Sequence, residues 1–208
     1  MKASRCLRAV AVLVVLAACG TSSAGAPVAG AYAGTVVSPP TPAPDFVLTA
    51  TDGKPWDFAR QTSGFVALLF FGYTHCPDVC PVHMTNIAAA LHEISFDEAR
   101  RVKVVFVTVD PDRDSLGRLR GWLDNFDPGF VGLRGPPADV ARIETAFHLA
   151  PAVAARGPDG EYTVGHAAAV IAIVGDSVRI FYPFGTRQID WARDLPKLVA
   201  RIPGAPHG

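Results

Sequence analysis

Residues 65–81, FVALLFFGYTHCPDVCP, carry the strongest structural signal in the chain. The seven consecutive apolar residues from Phe65 to Phe71 are typical of a strand that is buried on both faces of a sheet. The run ends at Gly72 and leads into Cys76 and Cys80, which are followed by a proline that favours the first turn of a helix. This predicts a strand, a short loop with two thiols, and a helix N-terminus. A helix N-terminus lowers the pKa of a thiol and favours the reactive thiolate.

Elsewhere in the chain, apolar patterns typical of strands alternate with patterns typical of helices. After the second cysteine, apolar residues recur every three or four positions up to Ile94, which predicts a helix with one apolar face. The remaining predictions are a hairpin of 46–49 and 56–58, a strand over 102–109, a helix capped by Asp114 or Ser115, a strand over 130–133, a helix around 140–147, strands over 168–174 and 178–184, and a last helix over 189–202 that Pro196 should kink or split. This order predicts an α/β domain with helices on both faces of a central sheet.

The first residues predict export and attachment to a lipid. Three basic residues within the first eight positions precede ten apolar residues, 9–18, and Cys19 follows. Ten apolar residues are too few to span a bilayer, so the segment is typical of a secretory signal. The sequence 16–19, LAAC, resembles a bacterial lipobox. We therefore expect a signal peptide over 1–18 and a lipidated Cys19; the alternative is an ordinary signal peptide cleaved nearby.

Composition divides the rest of the chain into two parts. Residues 19–44 are rich in Pro, Ala, Gly and Ser and contain no Asp, Glu, Lys or Arg, which predicts a flexible tether. Residues 45–208 have the length and apolar content of one folded domain. The formal net charge is +0 and there is no block of basic residues, which argues against nucleic acid as a partner.

The four cysteines of the chain do not form a disulfide framework. Cys6 lies in the predicted signal peptide and Cys19 at the lipidation site, which leaves Cys76 and Cys80 in the folded domain. An exported domain that depends on disulfides normally uses several cysteines spread along the chain. A bond between residues four positions apart closes too small a loop to contribute much stability. These two thiols are therefore predicted to be functional, in redox exchange or in metal binding.

The order of elements, with the thiol loop after the first central strand, resembles the thioredoxin superfamily. Within it, three stretches are similar to the SCO/SenC family of copper-binding cytochrome c oxidase assembly proteins: 71–81 (FGYTHCPDVCP), 108–114 (TVDPDRD) and 165–166 (GH). The similarity extends over about residues 45–200. It implies a thioredoxin-like fold with a central mixed sheet, helices on both faces and an added N-terminal β-hairpin.

The resemblance also implies a copper site formed by Cys76, Cys80 and His166, with one ion per chain. Thiolates suit Cu(I), and an added imidazole suits Cu(II) as well, although two cysteines and a histidine also suit zinc. Thioredoxin-like oxidoreductases place a cis-proline before the strand that faces their thiols, and this chain has His166 there. His75 and His83 flank the thiols and are the rival nitrogen ligands.

The roles of three further features of these motifs are not decided by the sequence. The family commonly has Asp before its ligand histidine, whereas this chain has Gly165, which is expected to weaken the support of the ligand. Asp78 either tunes the pKa of the thiols or contacts a partner, or it accepts hydrogen bonds from the loop backbone. For Asp110, Arg113 and Asp114, an ion pair and a helix cap are favoured over a role in the site.

Two functions follow as hypotheses. The first is a membrane-anchored copper chaperone on the outer face of the bacterial cell membrane, which holds copper as Cu(I) or Cu(II) and passes it to the copper A subunit of cytochrome c oxidase; the copper donor stays open. The second is a thiol–disulfide reductase in which Cys76 and Cys80 are the catalytic pair acting on exported or oxidase cysteines.

Overall fold

The computed structural model describes residues 32–157 and 162–203. In these residues the chain forms strands β1 (Thr35–Pro42), β2 (Val47–Ala50), β3 (Pro55–Asp57), β4 (Val66–Gly72), β5 (Val102–Thr108), β6 (Val131–Arg134), β7 (Val153–Arg156), β8 (Tyr162–Gly165), β9 (Val170–Val174) and β10 (Ser177–Tyr182). The helices are α1 (Phe58–Thr62), α2 (Val79–Glu93), α3 (Phe96–Ala99), α4 (Leu116–Leu123), α5 (Pro137–Ala146) and α6 (Gln188–Val199). The predicted alternation of strands and helices is confirmed.

Eight strands form one mixed sheet in the order β1-β10-β9-β4-β5-β6-β2-β3. Strands β4, β5 and β6 are parallel, and the other neighbours pair antiparallel. The predicted N-terminal hairpin, β2–β3, extends the sheet at the edge beyond β6. All seven residues of β4 are buried, as expected for a continuous apolar run in the middle of a sheet with both faces covered.

Alternate residues of β4 contribute to two separate hydrophobic cores, because successive side chains of a strand point to opposite faces. Leu68 and Phe70 belong to a core that also contains buried residues of α2, α4 and α6. Leu69 and Phe71 belong to a second core, to which α1 and α5 contribute. Helices therefore cover both faces of the sheet, and the thiol loop emerges from the carboxyl end of its central strand.

The predicted tether is wrong at its C-terminal end. Residues 35–42 form β1, an edge strand that pairs antiparallel with β10. Just before it, the N–H of Ala33 donates to the buried carboxylate of Asp194 at 2.7 Å. Pairing through backbone hydrogen bonds does not require apolar side chains, so composition could not reveal this strand. The predicted signal peptide, Cys19 and the first part of the tether lie outside the described residues.

The structure differs from the predictions in three further details. Helix α4 is capped by Ser115, whose side chain accepts the N–H of Arg118, and not by Asp114. Helix α6 continues through Pro196 and is not split. Strands β7 and β8 form a separate two-stranded sheet that was not predicted. None of the helices in the described residues is long and apolar enough to span a membrane.

Candidate metal centre

The two thiols lie at the junction between β4 and α2. Cys76 is in the loop, where its N–H donates to the carbonyl of Tyr73 at 3.2 Å. Asp78 is the N-cap of α2, and its carboxylate accepts the N–H of Val79 at 2.5 Å. Cys80 is in the first turn of the helix and is fully buried, whereas Cys76 is partly exposed. One sulfur therefore faces the core and the other lies nearer the surface.

Gly72, the last residue of β4, leaves the space that Cys80 occupies. A Cβ atom at this position would lie 2.8 Å from the sulfur of Cys80 and 2.9 Å from the ring of Phe106. Distances this short are not tolerated between real atoms, and the ring and the buried first turn have little room to move. The glycine that ends the apolar run is thus required for the position of the inner thiol.

His166 follows β8 and reaches the thiols from the other side of the site. Its ring lies edge-on to the rings of Phe70 and Tyr73, each 5.7 Å away between centroids. Its Nδ1 is 3.0 Å from the carbonyl of Ala167, which can only accept a hydrogen bond, so Nδ1 carries the proton. Nε2 then has a free lone pair, and it lies 3.6 Å from the sulfur of Cys80. This is the tautomer that a histidine needs in order to bind a metal through Nε2.

The two thiols differ strongly in acidity. The pKa of Cys76 is lowered to about 4, first by a hydrogen bond from the Cys80 side chain and further by the backbone N–H groups of Cys80 and Asp78. Burial raises the pKa of Cys80, and the hydrogen bond to Cys76 raises it further. The metal-free site therefore holds a thiolate at Cys76 and a neutral thiol at Cys80. The prediction that the helix N-terminus favours the thiolate applies to the outer cysteine alone.

One ligand atom from each of Cys76, Cys80 and His166 lies within 4.8 Å of the other two. Small side-chain movements would allow a single ion to contact all three. Two sulfurs and one imidazole nitrogen form a soft donor set that suits copper, and zinc as well. Within residues 32–157 and 162–203, no other group of three or more His, Cys, Asp or Glu side chains is close enough to hold a metal ion.

Comparison with known proteins places this chain in a family. The sequence model of the SCO1/SenC family matches residues 37–200. The chain belongs to the SCO1/SenC family. Among SCO1/SenC relatives, the putative copper-binding protein of Stutzerimonas stutzeri is 32% identical over 129 residues, which make up 62% of this chain and 62% of that protein. The mitochondrial SCO2 homolog of Danio rerio is 32% identical over 124 residues, or 59% of this chain and 44% of that protein.

The chain thus spans less than two thirds of the length of these curated SCO1/SenC relatives. Among solved structures, Bradyrhizobium japonicum ScoI with copper bound is 32% identical, with a TM-score of 0.67, and the match covers 76% of this chain and 99% of ScoI. The SCO1/SenC structures have a thioredoxin-like fold, so the predicted fold is confirmed.

The two histidines that were rival ligands, His75 and His83, lie outside the group formed by Cys76, Cys80 and His166. His83 is buried, and its Nε2 donates to the carbonyl of Ala168 at 2.9 Å. Burial lowers the pKa of His83, so it is neutral in the folded protein. His75 is exposed and lies 3.7 Å from the carboxylate of Asp114. Neither belongs to the group of three ligand atoms.

The second SCO1/SenC motif does more than form an ion pair. Asp114 is fully buried, and its carboxylate accepts hydrogen bonds from the N–H and hydroxyl of Thr74 at 3.0 and 2.5 Å and from the hydroxyl of Thr108 at 2.7 Å. Asp114 therefore anchors the loop that carries Cys76. The interpretation of this aspartate as a helix cap is wrong, because its oxygens accept hydrogen bonds from Thr74 and Thr108, which precede it in the chain, and α4 begins after it.

Two site contacts were missed because the β7–β8 hairpin was missed. Arg113 donates to the carbonyl of Tyr162 at 3.0 Å, and the hydroxyl of Tyr73 accepts the N–H of Val164 at 3.5 Å. The sequence of residues 157–160, GPDG, is typical of a turn and was the available signal for this hairpin. At its end, Gly165 has open space: an added Cβ would meet only the carbonyl of Val153, at 3.8 Å. The backbone there does not exclude the aspartate that the family commonly carries.

Proposed function

We propose that this protein is a copper chaperone that holds one copper ion through Cys76, Cys80 and His166 and delivers it to the copper A centre of cytochrome c oxidase. The observation that carries the proposal is the convergence of three ligand atoms from two distant segments within 4.8 Å. The copper bound to a solved relative at 32% identity supports the choice of metal. The oxidase as target rests on the family resemblance.

The chemistry of the three residues suits loading and release. Cys76 is already a thiolate and accepts copper without losing a proton, and Nε2 of His166 faces the thiols as the third donor atom. Cys80 has to give up its proton when the ion binds, which couples copper affinity to pH. The ligand groups of the acceptor would reach the ion from the side of the partly exposed Cys76 and displace the ligands one at a time.

Thiol–disulfide exchange is the second candidate function, and the acidity of Cys76 favours it. The Cys76 thiolate would attack a substrate disulfide, forming a mixed disulfide and releasing one substrate thiolate. The Cys80 thiolate would then attack the mixed disulfide, releasing the second substrate thiolate and leaving a Cys76–Cys80 disulfide. The raised pKa of Cys80 disfavours this second step, because the thiol has to lose its proton first. We therefore rank this function below copper delivery.

Membrane anchoring is part of the same proposal. A lipid on Cys19 would hold the folded domain at the outer face of the bacterial cell membrane, next to an oxidase embedded in that membrane. Metabolic labelling with a fatty acid tests this directly. We expect the label in the wild-type chain and none in Cys19→Ser, whereas equal labelling of both would contradict lipidation at Cys19.

A transfer experiment separates the two functions. Protein loaded in equal parts with Cu(I) and Cu(II), which the mixed-valence copper A centre requires, is mixed, without oxygen, with a metal-free copper A domain whose cysteines are reduced. In parallel, the metal-free protein is mixed with the same domain in its disulfide form. Copper delivery predicts the purple copper A absorption in the first mixture and slow reduction in the second. Rapid reduction in the second mixture without any transfer in the first would favour the reductase.

A further inference from the structure

The hairpin that presents His166 has little backbone support. Strands β7 and β8 pair only with each other in the described part of the chain and form no ladder with the central sheet. A two-stranded hairpin is marginally stable by itself. The position of His166 relative to the thiols therefore depends on side chains that reach the hairpin from the rest of the domain.

Arg113 makes two of these contacts. Its Nη1 donates to the carbonyl of Tyr162, the first residue of β8, at 3.0 Å, and its guanidinium lies 3.7 Å from the centroid of the Tyr162 ring. Asp110 links these two residues, and we call the group of Asp110, Arg113 and Tyr162 the clamp. It accepts a hydrogen bond from Nε of Arg113 on one oxygen and from the hydroxyl of Tyr162 at 2.8 Å on the other.

The clamp is largely shielded from water. Asp110 is only 4% exposed, and the side chain of Arg113 is 21% exposed. Charged hydrogen bonds gain strength when water is excluded, and a planar guanidinium fixes the direction as well as the length of the hydrogen bonds that it donates. On its other side the guanidinium faces the ring of Tyr73 at 5.7 Å, and that ring packs against His166. Arg113 therefore lies between the strand that leads to the histidine and the aromatic wall that holds it.

We propose that Arg113 is a positioning residue for His166, and that through it the clamp determines how tightly the site binds Cu(II). The inference rests on the proposed metal site. Two thiolates satisfy Cu(I), whereas Cu(II) depends on the imidazole as well. Loosening the hairpin should therefore weaken the binding of Cu(II) much more than that of Cu(I). The thiol loop is held separately by Asp114, so its chemistry should not change.

The test compares Arg113→Lys with Tyr162→Phe and with a matched control, Arg118→Lys. Arg113→Lys keeps the positive charge but removes the planar guanidinium that donates to Tyr162 and stacks on its ring. Tyr162→Phe keeps the ring but removes the hydrogen bond to Asp110. Arg118 is exposed and lies five positions further along the chain. The three measurements are amide hydrogen exchange of 162–166 in the metal-free protein, affinities for Cu(II) and Cu(I) by competition, and the alkylation rate of Cys76.

In Arg113→Lys we expect faster exchange at 162–166 and Cu(II) binding that is weaker by about 10- to 100-fold, as is typical when a group supporting a ligand is removed. The affinity for Cu(I) and the alkylation of Cys76 should stay close to those of the wild type and of Arg118→Lys. Tyr162→Phe should show a smaller change in the same direction.

Wild-type Cu(II) affinity in Arg113→Lys would overturn the inference while leaving the metal site intact. Equal losses of Cu(I) and Cu(II) together with altered alkylation would overturn it too, because they indicate general damage. If the wild type binds no copper, the proposed function fails, and the exchange rates alone then decide whether Arg113 positions the hairpin.

Discussion

The Sγ atom of Cys80 lies 3.6 Å from Nε2 of His166, although 86 positions separate the two residues. Cys80 is fixed by the first turn of a buried helix, and His166 by a hairpin at the edge of the site. Their contact joins the two halves of the candidate metal centre. The two side chains are already in contact without an ion. A metal ion would displace the proton of the Cys80 thiol, and the three ligand atoms already lie close enough for small side-chain movements to complete the site.

Adding one methyl group at Gly72 tests how tightly the chain is packed at this position. Gly72→Ala should destabilise the fold by about 1–3 kcal/mol through overpacking against Cys80 and Phe106, and it should weaken metal binding by displacing the inner thiol. Gly117→Ala, in α4, is the control, because an added Cβ there meets nothing within 4 Å. Urea unfolding and copper competition measure both effects. Unchanged stability and affinity in Gly72→Ala would contradict this packing.

The anchoring role of Asp114 predicts a large effect of a nearly isosteric change. In Asp114→Asn, an amide group faces the donors of Thr74 and Thr108, so we expect a loss of about 2–3 kcal/mol in the free energy of unfolding. Asp124→Asn removes an exposed carboxylate paired with Arg120 and should cost at most about 1 kcal/mol. Similar losses in both variants, measured by chemical denaturation, would argue against the anchor.

The strand and the thiols could be predicted from sequence because their signals are local. A continuous apolar run, a glycine and the C-x-x-x-C spacing all lie within residues 65–81, and a helix start needs only the residues around it. The role of Asp114 could not be predicted, because its partner Thr74 is 40 positions away. The same holds for Arg113 and Tyr162, which meet only in the folded chain. Strand β1 was not predicted, because pairing through backbone hydrogen bonds does not require a particular amino-acid composition.

The acidity of Cys76 predicts an unusual pH profile for the metal-free, reduced protein. With a pKa of about 4, Cys76 is fully a thiolate above about pH 6, so its alkylation rate should be flat from pH 6 to 8. An ordinary thiol becomes about 100-fold more reactive over the same two pH units. The principal cause is the hydrogen bond from Cys80, so Cys80→Ala should move the midpoint of the profile upwards, whereas Cys80→Ser keeps a donor and should move it less. A midpoint that is the same in all three proteins would refute this cause.

The burial of His83 predicts a loss of stability in acid. Its pKa in the folded protein lies below the ordinary 6.5, so the unfolded chain binds the proton first and stability falls as the pH drops below 6.5. The slope from this one group is at most about 1.4 kcal/mol per pH unit, and it ends once the pH passes the folded pKa. His83→Gln should reduce the fall in melting temperature of the metal-free protein between pH 7 and 5. The exposed His92→Gln is the control and should behave like the wild type.

The most direct test of the metal centre is a copper titration of the reduced protein without oxygen, with His166→Ala and His83→Gln alongside. The proposed site predicts one copper per chain in the wild type and in His83→Gln, and a loss of Cu(II) affinity with a changed absorption spectrum in His166→Ala. If the wild type takes up no copper beyond weak adsorption, or if His166→Ala binds Cu(II) with an unchanged spectrum and affinity, the assignment of Cys76, Cys80 and His166 as one copper site is wrong.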